Sequence, residues 1–246
     1  MTDVVCVNWG KKYPVEYTFR LYNMVKRNTT KDFKFYCLTD DVTRYDKYSH
    51  IHAVELDTDD SGWWTKFQLY RPGVLPDGEY LYLDLDVVVV DNIDCFFEHP
   101  SFGITRDFIR PEEGLLPGKE YNSSVVRFDN RRTEGLFKYY LQNRRSWLDY
   151  QKQIHFFGDQ NVTSAYLNYY PDFLNLFPDE WLWSFRKGQK RGATHGDRSQ
   201  WFGRTVPKGG KICVFHGNPN PQEVLEKDYK EYIGTETIDW IRKHYQ

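Results

Sequence analysis

The stretch YLYLDLDVVVVDN, Tyr80–Asn92, sets two carboxylates, Asp84 and Asp86, inside a run apolar enough to be a buried strand. A carboxylate taken into a core without a partner either costs free energy or takes up a proton, so two of them call for compensation. A bound metal, a nearby Arg or Lys, or a strand end that opens into water would each supply it.

The surrounding segments favour a strand end at a cleft. Val4–Trp9, Phe33–Thr39, Ile51–Leu56 and Tyr80–Asp86 are near-continuous apolar runs bounded by turns, the pattern of strands covered on both faces. Between them, Pro14–Asn28 reads as a helix opened by Pro14, with Phe19, Tyr22 and Val25 on one face. Ser61–Arg71 reads as a helix capped by Ser61. Further on, Tyr121–Asn130 reads as a strand with a polar entrance, and Arg132–Asn143 and Phe157–Tyr170 as helices, the second opened by Gly158 and Asp159. The segments Leu176–Phe185 and Lys211–Gly217 read as short aromatic strands. This order predicts an α/β fold with a mostly parallel sheet, in which ligands gather outside the carboxyl ends of the strands, where Asp84 and Asp86 lie.

Composition excludes several classes. At 246 residues the chain approaches the roughly 250 to 300 residues that one core supports, so a single domain is expected. A net charge of −2 gives no general attraction for phosphate backbones, so nucleic acid is not expected as a partner. The start MTDVVCVNWG has no basic segment leading into a long apolar one, and no stretch approaches the ~18 apolar residues of a membrane span. A cytoplasmic protein without a transmembrane segment is the expectation. Cys6, Cys37 and Cys213 sit in apolar runs, Cys95 lies beside Phe96 and Phe97, and all four are expected as reduced thiols. Aromatic residues make up 18% of the chain; they serve cores, and they also serve as flat platforms for sugars and bases.

Residues two apart on a strand point the same way, so Asp84 and Asp86 can present oxygens to one point. Mg2+ or Mn2+ binds such an arrangement, the latter where an imidazole joins. The plain alternative is a pair of solvated turn acids.

In its context the segment Tyr80–Asp94 resembles the Asp-x-Asp metal segment of GT-A-fold glycosyltransferases, and the resemblance extends along most of the chain. VVCVNWG is similar to the first strand, whose end, at Asn8 and Trp9, meets the nucleotide. FYCLTDD is similar to the second strand, with Thr39 and Asp40 near the base, and WWTKFQLYR to the helix before the metal strand. YNSSVVRF resembles a strand entrance facing the donor sugar, GDQNV an Asp-Gln pair opening an acceptor-side helix, and VFHG a late His that completes the metal site. Order and spacing resemble the retaining glycosyltransferases of family eight, the glycogenin and bacterial galactosyltransferase type. In that family a Lys that holds the diphosphate follows the late His and Gly, whereas HGNPNPQEV provides His216 and Gly217 and no such Lys.

The resemblance implies one GT-A domain over residues 1–246, nucleotide-binding over about the first hundred residues and acceptor-facing over the rest. It implies a nucleotide-sugar donor, foremost a UDP-sugar, and transfer with retention to a glycan, a lipid-linked sugar or a small-molecule acceptor. Asp84, Asp86 and His216 would hold Mn2+ or Mg2+, with Leu85 between the acids and Gly217 after the imidazole completing the donor contacts. Lys66, one helical turn from Trp63, is the candidate to replace the missing phosphate Lys; otherwise it is a surface lysine. Asn122 and Ser123 are candidates for sugar hydroxyls or for capping a strand entrance. Asp159 and Gln160 are candidates for the acceptor side and the sugar's underside, or, for Asp159, a helix cap. The Gly- and Arg/Lys-rich segment Arg186–Lys211 is expected as a lid drawn down by diphosphate, or as a solvated loop, and Trp181 and Trp183 as acceptor platforms or core. Two other classes compete. A haloacid-dehalogenase-like phosphatase uses its first Asp as nucleophile, but on the first core strand. A nucleotide-sugar-binding protein without catalysis would first lose a metal ligand.

Overall fold

The computed structural model describes residues 1–108, 120–152, 158–186, 205–226 and 235–246. The strands are β1 (Thr2–Asn8), β2 (Phe35–Thr39), β3 (Ile51–Glu55), β4 (Glu79–Leu83), β5 (Val87–Val89), β6 (Gly103–Arg106), β7 (Tyr121–Asp129), β8 (Asn175–Leu176), β9 (Leu182–Ser184) and β10 (Ile212–Val214). The helices are α1 (Val15–Arg27), α2 (Asp94–Glu98), α3 (Glu134–Tyr150), α4 (Asp159–Tyr169), α5 (Pro221–Glu226) and, as α6, Thr235–His244. A nine-residue 3-10 helix spans Gly62–Tyr70.

Seven strands form the main sheet in the order β3-β2-β1-β4-β7-β6-β8. The first four are mutually parallel, β7 is antiparallel to both β4 and β6, and β8 is parallel to β6. A second sheet of three strands, β5-β10-β9, stands beside it. Period-two side-chain alternation explains the continuous apolar runs, because both faces of the main sheet are covered. Val4, Cys6, Phe35, Cys37, Leu81 and Leu83 face one core with α1 and the small sheet. Val5, Tyr36, Leu38, Tyr80 and Tyr82 face the other, with the 3-10 helix, α3 and α4. Each such fully buried side chain stabilises the fold by about 1.5–3 kcal/mol relative to exposure.

Aromatic rings mostly fill these cores. Tyr140 stacks on Phe67 with centroids 4.0 Å apart and on Trp64 at 5.5 Å. Trp183 is buried, and Trp181, half-buried, packs on Phe96 at 4.9 Å against the core, so both follow the core alternative. Three of the four thiols are buried; Cys95 is half-buried, and all four are free.

Three local expectations need correction. Helix α1 buries Tyr17, Thr18, Leu21, Met24 and Val25, so its core stripe is rotated from the expected Phe19–Tyr22–Val25 face. Phe19 instead meets Tyr48, and Tyr22 meets Phe35, at the margin of the core. The expected helix over Ser61–Arg71 is of the tighter 3-10 type. Strand β4 ends at Leu83, one residue before the first acid, so Asp84 and Asp86 belong to the turn between β4 and β5.

Candidate active site

Parallel pairing sets the carboxyl ends of β2, β1 and β4 side by side, and the polar residues gather there. From the 3-10 helix, Lys66 reaches Asp84 at 2.9 Å and Asp159 at 3.4 Å. Three residues per turn bring Trp63 and Lys66 onto one face, yet Trp63 is 53% exposed while the lysine side chain is only 16% exposed. Burial works against its ammonium, but Asp159 and Asp84 overcome that and raise its pKa above the usual lysine range. A surface lysine is thereby excluded.

Asp159 is no helix cap: Gly158 occupies the cap position, and Asp159 is the first residue of α4. Its carboxylate accepts from Ser123 Oγ at 2.6 Å and faces Lys66. Burial raises its pKa, Lys66 opposes the rise and Asp84 adds to it. Gly158 makes this start possible. Its φ is +66°, and a Cβ there would lie 2.4 Å from the Trp63 ring, so neither the backbone nor the space admits another residue without strain. Beside this pair, Asn122 Nδ2 donates to Gln160 Oε1 at 3.1 Å. The Asp84 amide donates to the Ser124 carbonyl at 2.8 Å, which ties the acidic turn to β7.

The two acids have different partners. Asp84 receives the Tyr82 hydroxyl as well as Lys66. Asp86, 8% exposed, accepts from the Tyr13 hydroxyl at 3.0 Å. Burial, then repulsion by Asp84, pushes the Asp86 carboxyl up to about 7, against the pull of Lys12, the Tyr13 hydroxyl and Lys66. Tyr13 is itself fixed by Arg44, which donates to its carbonyl at 2.9 Å and to that of Gly10 at 3.2 Å.

The small sheet brings the remaining pieces to this turn. β10 runs antiparallel to β5, with Val214 beside Val87, and parallel to β9, with Ser184 beside Val214. Asp86 immediately precedes β5, while His216 and Arg186 each lie two residues beyond the ends of β10 and β9. All three therefore belong to one edge. His216 Nε2 is 2.5 Å from Ser184 Oγ, and its ring lies parallel to Phe108 with centroids 5.9 Å apart.

Two carboxylates, one of them buried and short of positive charge, suit a hard divalent cation, and the imidazole belongs to the same edge. Among the described residues no three His, Cys, Asp or Glu side chains gather closely enough to hold one ion. The donors are thus neighbours along this edge, with His216 directed to Ser184.

At the ends of β1 and β2 the candidates divide. Asn8 and Thr39 are fully buried, and the Asn8 amide donates to Thr18 at 3.1 Å and Tyr45 at 2.9 Å. Trp9 is 37% exposed, and both Asp40 oxygens accept from the Gly10 amide, at 3.0 and 3.1 Å. Leu85 is buried within the acidic turn, and Gly217 has a φ of +85°. Of the basic segment, residues 187–204 lie outside the described residues. Tyr13, Tyr82, Ser124 and Ser184 were not singled out from the sequence. A tyrosine in a loop or strand carries no local mark of the acid it will meet.

Comparison with known proteins shows the fold. The chain superposes on a galactosyltransferase, LgtC, solved with donor and acceptor sugar analogs, with a TM-score of 0.65 and 13% identity over 100% of this chain and 97% of that one. Mouse xyloside xylosyltransferase 1 gives 0.57 and 15% identity over 88% and 97%. The glycosyltransferase GlyE of Streptococcus pneumoniae TIGR4 gives 0.57 and 13% identity over 99% of this chain and 63% of that one. The fold is GT-A, as the resemblance of the acidic segment and its neighbours implied. The sequence itself matches no family model and no curated protein.

Proposed function

We propose that this chain is a glycosyltransferase that moves a sugar from a nucleotide diphospho-sugar, a UDP-sugar, to an acceptor hydroxyl with a divalent cation, Mn2+ or Mg2+. The observation that carries the proposal is the buried network of Asp84, Lys66, Asp159 and Ser123, which joins four elements at the carboxyl edge of a GT-A sheet. Ion pairs drawn largely out of water are costly to maintain for stability alone. Perturbed carboxyls clustered at a strand edge are the usual mark of a working site.

In this reading Asp84 and Asp86 would hold the cation, and His216, on the same edge, would join them only by giving up its contact with Ser184. When bound, the cation supplies positive charge to the diphosphate as the bond to the sugar breaks. Trp9 offers an exposed ring to the base. Asp40 holds the turn after β1 through the Gly10 amide, and Asn8 and Thr39 shape that turn from within. Lys66 holds Asp84 and Asp159 in place through its two ion pairs. Asn122 and Gln160, already bonded to each other, present polar atoms to the sugar, while Ser123 orients Asp159 toward the acceptor side. Transfer proceeds with retention, the departing phosphate oxygen taking the acceptor's proton. The first hundred or so residues bind the nucleotide. The remainder receives the acceptor, a glycan, a lipid-linked sugar or a small molecule. A phosphatase reading is disfavoured because Asp84 follows the fourth strand and is engaged by Lys66 and Tyr82 rather than held as a nucleophile.

A thermal-shift panel of nucleotide sugars, with and without Mn2+, tests this. A ligand at ~100 times its dissociation constant adds about 2.7 kcal/mol of apparent stability, enough for a clear shift. The expected result is a shift for one donor class that requires the metal; no shift with any nucleotide sugar plus metal would refute the proposal.

A further inference from the structure

Cys6 and Cys37 are register partners on the adjacent parallel strands β1 and β2, and both side chains face the core beneath α1. Neighbouring strands lie about 4.7–4.9 Å apart, inside the range of roughly 4.4–6.8 Å between the Cα atoms of a disulfide. Both residues are free thiols, fully buried. An apolar residue would pack as well at either place, yet polar groups collect around the pair. The thiols meet each other and the Thr18 hydroxyl, and Cys37 also meets Tyr45. Thr18 and Tyr45 lie 3.0 Å apart, and both receive the side-chain amide of Asn8, two residues beyond Cys6. Asn8 pairs with Thr39, so this cluster lies directly under the turns that follow β1 and β2. Burial, and then Cys37, push the Cys6 thiol up. Burial acts on Cys37 as well, but its contacts with Cys6, Tyr45 and Thr18 outweigh that and lower its thiol, which makes Cys37 the readier nucleophile.

We infer that Cys6 and Cys37 form a reversible disulfide, a redox site set under the turn after β1. This goes beyond the sugar-transfer reading and holds whether or not the chain transfers sugar. Both thiols are buried beside the start of α1, so the oxidant is one small enough to enter as that helix end frays, hydrogen peroxide. The Cys37 sulfur attacks one peroxide oxygen and breaks the O–O bond, giving a sulfenic acid and water. The Cys6 sulfur then attacks the Cys37 sulfur and displaces its hydroxyl as a second water, so two thiols and one peroxide become one disulfide and two waters. Closing the bond draws the strands together locally and takes the sulfurs from Thr18 and Tyr45, the two partners that hold Asn8. A disulfide closed at such a cost is readily reduced by a thiol, which makes the site reversible.

The test treats the wild-type chain with hydrogen peroxide, alkylates it in denaturant and digests it with trypsin without reduction. Mass spectrometry should find the peptide Met1–Lys11 linked to Phe35–Arg44, two hydrogens lighter than their sum, and dithiothreitol should restore both thiols. The far-ultraviolet circular dichroism of the oxidised chain should match that of the reduced one. Hydrogen exchange should show the peptide spanning Gly10 exchanging severalfold faster in the oxidised chain. Cys6 and Cys37 both remaining thiols while Cys95 is oxidised overturns the inference, as does a link found only in chains that have lost their circular dichroism. A Cys37 that stops at the sulfenic acid with Cys6 free overturns it too. A disulfide that leaves exchange around Gly10 unchanged overturns its action on the turn. Every readout is taken on the wild-type chain, so none depends on whether a cysteine variant folds.

Discussion

Asp86 carries a cost in the ion-free chain that its neighbours only partly offset. Its carboxyl, pushed up to about 7 by burial and by Asp84, holds a proton in the folded state that an unfolded aspartate releases near pH 4. The folded state therefore binds more protons between those values, and stability falls as pH rises through that window. Asp86→Asn removes the cost while keeping the shape. Without metal, the variant should be more stable than wild type at pH 8, by on the order of 2–4 kcal/mol at most, with the gain vanishing at pH 4. Urea denaturation at the two pH values checks this, and a pH-independent difference would show that burial of the charge is not the cause. Lys66 makes the opposite case. Lys66→Met strands two carboxylates and should cost about 3 kcal/mol, much of it recovered by adding Asp159→Asn. Equal stability of the single and double variants would mean that the ammonium contributes little to holding the site.

Glycine 158 decides how α4 begins. Gly158→Ala meets both a positive φ and the Trp63 ring, so it should destabilise the fold by about 1–3 kcal/mol. Pairing it with Trp63→Ala removes the ring but leaves the Trp63 Cβ 2.8 Å from the new one, so a double variant that recovers fully would show that neither backbone strain nor that contact is part of the cost. At this scale much of the fold was legible in the sequence. The strands β1, β2 and β4 announced themselves because two-faced burial leaves an unbroken apolar run. The acids of the β4–β5 turn interrupted that run where the sheet meets water, and Asp159 and Gln160 stood out beside a glycine. The rest was not legible, for physical reasons. Nothing local separates a 3-10 helix from an α-helix over Gly62–Tyr70; ring packing of Trp64 and Phe67 on Tyr140 accompanies the tighter form. The stripe of α1 was misjudged because Phe19 and Tyr22 are apolar enough for the core, yet Tyr48 and Phe35 receive them at its margin. Lys66 looked like a free cation for phosphate because its engagement with Asp84 and Asp159 is made by residues 18 and 93 positions away.

In the whole molecule, two sheets of different size converge on one edge. The large sheet supplies the acidic turn, the lysine-linked network and the turn after β1; the small one supplies His216, Gly217 and Arg186. Among the described residues no helix is long and apolar enough to cross a membrane. The central claim is that the Asp84–Asp86 turn holds a divalent cation jointly with a nucleoside diphosphate. The most direct measurement is the electron paramagnetic resonance signal of free Mn2+ as the chain is added, with and without UDP. The account predicts that wild type removes about one Mn2+ per chain from solution, far more tightly with UDP than without, and that Asp86→Asn, though folded, does so only at much higher concentration. Equal Mn2+ uptake by wild type and Asp86→Asn in the presence of UDP would contradict it.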